Sequence, residues 1–397
     1  MRRHAKGWLG CVGLCLATTV LSGCTILDVA RLTDDSLQGR NNGTPGSALA
    51  RAYLIEQVKP ISRGLNTAAS GDAAYTQSTG GGTNVVAVIP GTDLADQYVV
   101  VGAHYDHLGG SFNGATDNAT GVAAALAIAR SIAAQPTKPR RSVVIALWDQ
   151  EEDGLVGSRY YVQNPLLPLA KAVGYVNFDI QGANLLPSLR NTSIAVAAET
   201  GGTRFQGILR AAIGERSLDT AMLSSIFGQN RSDYVNFINA GIPSVFFTDA
   251  TGPCYHTVDD ELGIVDFDKL DVQIATALAV TRELANTTTP PAFVSGTPLA
   301  TFDDAVEASR IINRAYSDRG RFSAVDQQTL TDLRTDVNAV VREGRAAFDN
   351  ADVGRLLSGA AQFVEIMTHG TCDGFLSASA RARIAQFEKA RAALEAR

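Results

Sequence analysis

The pattern of apolar and polar positions changes character near residue 290. Before that point, short apolar runs at 84–89, 97–103, 142–148, 173–178, 193–198 and 243–247 predict β-strands. The run at 142–148 is nearly continuous, which predicts a strand buried on both faces. Between the strands, apolar residues recur at helical spacing. Val122, Leu126, Ile128, Ala129 and Ile132 mark a helix over 118–134, closed by Pro136 and Pro139. Further helices are predicted over 47–58, 154–162, 203–213, 232–240 and 268–285. Strands alternating with helices predict an α/β fold, a mixed and mainly parallel sheet sandwiched by helices. Pro90-Gly91 between the first two strands suits an antiparallel hairpin.

After Thr287-Thr288-Thr289-Pro290-Pro291, which opens a linker over 287–301, the strand signals stop. Helical patterns at 302–316, 325–347, 351–368 and 378–396 predict an all-helical C-terminal appendage over 302–397, a separate domain arranged as a four-helix bundle. It carries no visible catalytic motif, and His369 and Cys372 read as parts of a structural loop. At the other end, Arg2, Arg3 and Lys6 precede a short apolar stretch from Trp8 to Val20, then Leu21-Ser22-Gly23-Cys24. This resembles a bacterial lipoprotein leader over 1–23, with lipid attached to Cys24. The expected location is therefore the cell envelope, with the outer membrane favoured by Thr25 where the organism has one. Residues 24–46 read as a tether, and residues 47–286 as the catalytic body.

Composition narrows the chemistry. The 397 residues are 45% hydrophobic and carry a net charge of −6, so no nucleic-acid partner is expected. Beyond Cys24 the cysteines are Cys254 and Cys372, which an oxidising envelope permits to pair but which spacing alone does not pair. Histidine occurs five times in all, so His104, His107 and His256 stand out beside a run of carboxylates.

Those carboxylates collect at the ends of the predicted strands. His104, Asp106 and His107 follow the strand at 97–103, Asp117 lies in the next loop, Glu151 and Glu152 follow 142–148, and Asp179 follows 173–178. His256 comes after the last core strand. Sites in α/β sheets form at the carboxyl ends of the strands, where so many acidic groups need cations to neutralise them. Two imidazoles with several carboxylates and no thiolate suit zinc or a similar divalent ion. If each oxygen of Asp117 binds one ion, His104 and Asp179 complete one site and Glu152 and His256 the other, giving two Zn2+ per chain. Glu151 is then the spare carboxylate, fit to be the base for a water shared by the ions. Asp106 is placed to hold the His104 ring through its other nitrogen, and His107 drops out of the ligand set.

His104-Tyr105-Asp106-His107, Gly114-Ala115-Thr116-Asp117-Asn118-Ala119-Thr120-Gly121, Glu151-Glu152, Asn177-Phe178-Asp179 and Tyr255-His256-Thr257-Val258-Asp259 together resemble the signature of the M28 family of zinc peptidases, over roughly residues 80–285. The resemblance implies a zinc-dependent exopeptidase fold and a two-zinc aminopeptidase acting on peptides. A family feature like Arg-Ser-Asp-His stands here as Arg231-Ser232-Asp233-Tyr234, so Tyr234 departs from the pattern while Asp233 is expected behind the ligands or in the substrate pocket. The span from Ser47 to Asn84 leaves no room for the protease-associated domain of some relatives. Other readings are a carboxypeptidase or deacylase, or a non-catalytic surface-binding lipoprotein. Glutaminyl cyclisation by one-zinc relatives fits less well, because a full two-metal ligand set can be assembled.

Overall fold

The computed structural model describes residues 18–395. Most of the predicted leader therefore lies outside the described residues. Nine strands form one sheet: β1 (Arg63–Gly64), β2 (Thr76–Ser78), β3 (Thr83–Ile89), β4 (Leu94–His104), β5 (Arg141–Trp148), β6 (Ala172–Phe178), β7 (Thr192–Val196), β8 (Asp219–Leu223) and β9 (Ser244–Thr248). The order is β1-β3-β5-β4-β6-β9-β7-β8, with β2 also paired to β3. The central strands β5, β4, β6 and β9 run parallel, and β3 and β7 pair antiparallel with β5 and β9.

The expected hairpin between β3 and β4 does not form, because β5 lies between them. Adjacent runs in sequence do not fix adjacency in a sheet. Here the helical crossover after β4 brings β5 back parallel, with His104 opposite Trp148, and β3 is left to pair with the outer side of β5. Side chains alternate across the sheet with period two. Val99, Val101 and Ala103 point into one core, and Tyr98 and Val100 into the other.

The first core is covered by α1 (Thr18–Leu32), α3 (Thr120–Ala133) and α7 (Phe267–Asn286), with α2 (Pro45–Val58) and α5 (Gly202–Gly214) beside them. The second lies under α4 (Val156–Gln163) and α6 (Tyr234–Asn239), where Trp148, Tyr161, Tyr175 and Phe237 pack ring against ring. The segment after Cys24 is not a tether. Ile26, Val29 and Ala30 recur at helical spacing and are buried against α3. Asp28 accepts Arg130 Nη2 at 3.0 Å, which ties α1 to α3 in the interior.

The C-terminal part is all helical: α8 (Phe302–Ala315), α9 (Ala324–Glu343), α10 (Asn350–Thr368) and α11 (Ala378–Glu395). Capping boxes at Thr301/Asp304 and Asp349/Asp352 start α8 and α10. These helices do not make a detached four-helix bundle. The cluster of α8, α9 and α10 is shared with Leu185, Leu186, Leu189 and Ala221 of the sheet domain, while α11 packs on α7. Three helices alone leave an apolar face to cover, and the edge of the sheet beside β8 covers it. Cys254 and Cys372 form a disulfide across this junction, and His369 Nδ1 lies 3.2 Å from Asp326.

Candidate metal centre

The parallel strands end together, so the predicted site residues arrive at one edge. His104 is the last residue of β4, Glu151 and Glu152 follow β5, and Asp179 follows β6. Asp117 sits in a short irregular turn before α3, where its φ and ψ of −116° and 86° are not helical. The expected helix over 118–134 accordingly begins at Thr120. The turn is reached through Gly114 (φ 55°), where a Cβ atom would lie 2.2 Å from the Asp117 carbonyl oxygen and 2.6 Å from the His107 ring. His256 is delivered by the loop after β9, stacked on Tyr255 with ring centroids 3.8 Å apart.

All of the predicted residues meet. Asp117 Oδ1 is 3.3 Å from His104 Nε2, and Asp117 Oδ2 is 3.2 Å from His256 Nε2. Asp179 Oδ1 lies 3.3 Å from the same His104 nitrogen, and Glu152 Oε2 lies 3.1 Å from His256 Nε2. Donor atoms of His104, Glu151 and Asp179 fall within 4.8 Å of one another, as do those of His104, Asp117 and Glu152. The His256 Nε2 atom is buried and makes no hydrogen bond despite the oxygens on either side of it. That arrangement fits donors placed round a shared cation, and the oxygen and imidazole set fits zinc.

The charges explain the protonation preferences. Burial pushes the Asp117 carboxyl up, but the imidazoles of His104, His256 and His107 beside it outweigh this and hold the group far below the usual carboxylate range. Burial works against the charged form of Glu152 too, and its imidazole neighbours still bring it down. Burial raises Glu151 well above an ordinary glutamate, with Asp179, Asp233 and Glu152 adding to it against the pull of His104. His256 is drawn down by burial, yet Asp117 and Glu152 carry it to about 9. The cluster therefore holds protons that a divalent cation displaces on binding.

The supporting residues only partly match the sequence reading. The Asp106 carboxylate is 3.5 Å from His104 Nδ1, and its backbone carbonyl is nearer at 3.2 Å. Its two oxygens accept the backbone N–H groups of Glu151 (3.1 Å) and Glu152 (3.2 Å), so Asp106 also sets the direction of the glutamate pair. His107, left out of the ligand set, hydrogen-bonds Glu152 Oε1 through Nδ1 at 2.8 Å. Asp233 is fully buried, and burial pushes its carboxyl up to about 7. Tyr234 serves packing: it stacks on Phe246 and donates its hydroxyl to the Ser225 carbonyl.

Two residues were not anticipated. Asp260 accepts the N–H groups of Thr116 (2.8 Å) and Asp117 (3.0 Å), and only its position beside Asp259 hinted at it. Arg40, in the supposed tether, is fully buried and donates to the carbonyls of Leu32, Tyr105, Asn113 and Gly114, clamping the loop between His104 and Asp117. No local signal marks it.

Residues 84–281 match the model of Peptidase family M28. The chain is 34% identical over 193 residues to a probable glutamate carboxypeptidase from Arabidopsis thaliana, covering 45% of this chain and 27% of that protein. It is 30% identical over 218 residues to an aminopeptidase from Pseudomonas aeruginosa strain UCBPP-PA14, covering 48% of this chain and 39% of the other. The chain thus spans less than half the length of these curated relatives. A zinc aminopeptidase structure from Bacillus subtilis superimposes with a TM-score of 0.54 at 14% identity, covering 70% of this chain and 98% of that one, a likeness of fold.

Proposed function

The chain belongs to peptidase family M28, and on that premise we propose that it is a two-zinc aminopeptidase that removes N-terminal residues from peptides. One observation carries the reading: the two oxygens of Asp117 face two different imidazole nitrogens, His104 Nε2 and His256 Nε2. In this reading His104, Asp117 and Asp179 hold one ion, and Asp117, Glu152 and His256 the other. Zinc bound there supplies Lewis acidity to the scissile carbonyl and to water. Glu151, raised by burial and bound to neither ion, takes the proton from the attacking water and returns it to the leaving amine nitrogen. Asp106 holds Glu151 in place through its backbone N–H, and His107 holds Glu152.

A second reading, a carboxypeptidase, is favoured by Arg231. This exposed residue lines the cavity over the site and donates to the Tyr255 hydroxyl at 3.1 Å, so its guanidinium suits a substrate carboxylate. Zinc-loaded protein is to be assayed on aminoacyl amides with a free amine, and on N-blocked dipeptides with a free carboxylate, with and without chelator. Chelator-sensitive cleavage of the free-amine substrates is expected. Cleavage of N-blocked dipeptides alone would establish the second reading instead. The leader pattern further supports an envelope protein lipidated at Cys24, for which radiolabelled palmitate incorporation lost in Cys24→Ser is the test.

A further inference from the structure

The N-terminal helix and the metal centre approach opposite ends of the sheet. Asp28 of α1 accepts Arg130 Nη2, from the last turn of α3, at 3.0 Å. Leu32, one turn further along α1, shares the Arg40 guanidinium with the carbonyl of Gly114, which lies ahead of α3. Hence α1 runs antiparallel to α3, and Cys24 lies towards the end of α3. Helix α3 itself starts beside the metal turn at Asp117 and ends at Ala133, shortly before β5 begins at Arg141. Cys24 is therefore at the edge where the parallel strands begin, whereas His104, Glu151 and Asp179 are at the edge where they end. The five residues from Val99 to His104 alone put roughly 17 Å between those edges.

Little chain is left between Cys24 and the packed body. Cleavage before Cys24 makes it the first residue of α1, and Thr25 alone separates it from Ile26. Ile26 and Val29 are buried in the core shared with α3. A lipid on Cys24 would thus hold the body with no slack. The exposed charges near this edge are paired: Arg140 with Asp93 at 2.7 Å, Lys171 with Asp96 at 2.6 Å, and Arg204 with Glu283 at 3.1 Å. Such an edge presents little net field to anionic headgroups, so the buried acyl chain supplies the attachment.

We infer that the strand-start edge of the α/β domain, with the loop over residues 134–140, is a membrane-docking face, and that it seats the protein on a lipid bilayer with the metal centre turned away. This rests on the lipidation proposed for Cys24 and is independent of the peptidase reading. The sheet then acts as a spacer. The cavity over Asp117, Glu151 and Asp179 opens on the aqueous side, where it takes water-soluble peptides and not chains embedded in the bilayer.

The test uses the lipidated protein, made from the full chain in a bacterial host and reconstituted in phosphatidylcholine vesicles that carry a headgroup spin label. Cys254 and Cys372 are joined and Cys24 is acylated, so one introduced cysteine takes a thiol-reactive fluorophore. Thr137→Cys places it on the exposed docking loop, and Ser358→Cys on the exposed face of α10 that lines the cavity. The probe at 137 is expected to lose most of its emission to the spin label, and the probe at 358 to keep it. Quenching at 358 and not at 137, at both positions, or at neither would overturn the inference while leaving lipidation intact. Mass spectrometry of the same samples reads the acyl group on Cys24. Its absence would sink the lipidation reading and the docking face with it.

Discussion

The fully buried carboxylate of Asp260 accepts the backbone N–H of Asp117 at 3.0 Å. It also takes the N–H and hydroxyl of Thr116, both at 2.8 Å, so the turn that aims Asp117 is held by a charge from a distant loop. Asp260→Asn leaves the ligand set whole but weakens its support. Zinc affinity is expected to fall about 10- to 100-fold, measured by competition with a chromophoric chelator. Unchanged affinity would remove Asp260 from the account.

His107 is a positioning residue whose partner is Glu152 Oε1 at 2.8 Å. His107→Ala should weaken zinc binding by roughly 10-fold or more and raise the zinc concentration needed for half-maximal activity. If zinc saturation restores full kcat, His107 acts through Glu152 alone. If affinity is unchanged, the contact has no such role.

Arg40 joins the N-terminal segment to the metal loop by donating to four carbonyls in the interior. Burial draws its guanidinium down to about 10, which leaves it charged near neutrality. Arg40→Ala strips donors from buried carbonyls, and a loss of about 3 kcal/mol is expected in urea unfolding. A loss within experimental error would mean that the clamp is dispensable.

The Cys254–Cys372 disulfide closes 118 residues and lies two positions before His256 in the same loop. Cys372→Ser is expected to lower stability by about 2–4 kcal/mol and to make half of the bound zinc easier to remove by chelator. Zinc release with the same time course as that of the wild-type protein would show that the bond does not support the His256 side of the site.

Much of the site was legible because its parts are local. His104, Glu151, Glu152 and Asp179 each follow an apolar run, and a parallel core brings such ends together. What escaped was mostly long-range. Nothing in the runs at 84–89 and 97–103 says that β5 will sit between them. Asp260 and Arg40 act through backbone groups far away in the chain, and a buried guanidinium in a polar stretch resembles an exposed one. The N-terminal helix is a different case, since Ile26, Val29 and Ala30 carried a helical period beneath the polar residues around them. The C-terminal helices were visible as helices, but no periodicity states which face meets the sheet domain and lines a cavity over Asp179.

The central claim, that Glu151 is the base beside a two-zinc cluster rather than a ligand of it, is tested most directly by turnover of zinc-loaded Glu151→Gln on leucyl p-nitroanilide, with zinc counted in the same sample. The account predicts two zinc ions per chain and activity reduced by about 100-fold or more. Turnover near that of wild type would contradict it.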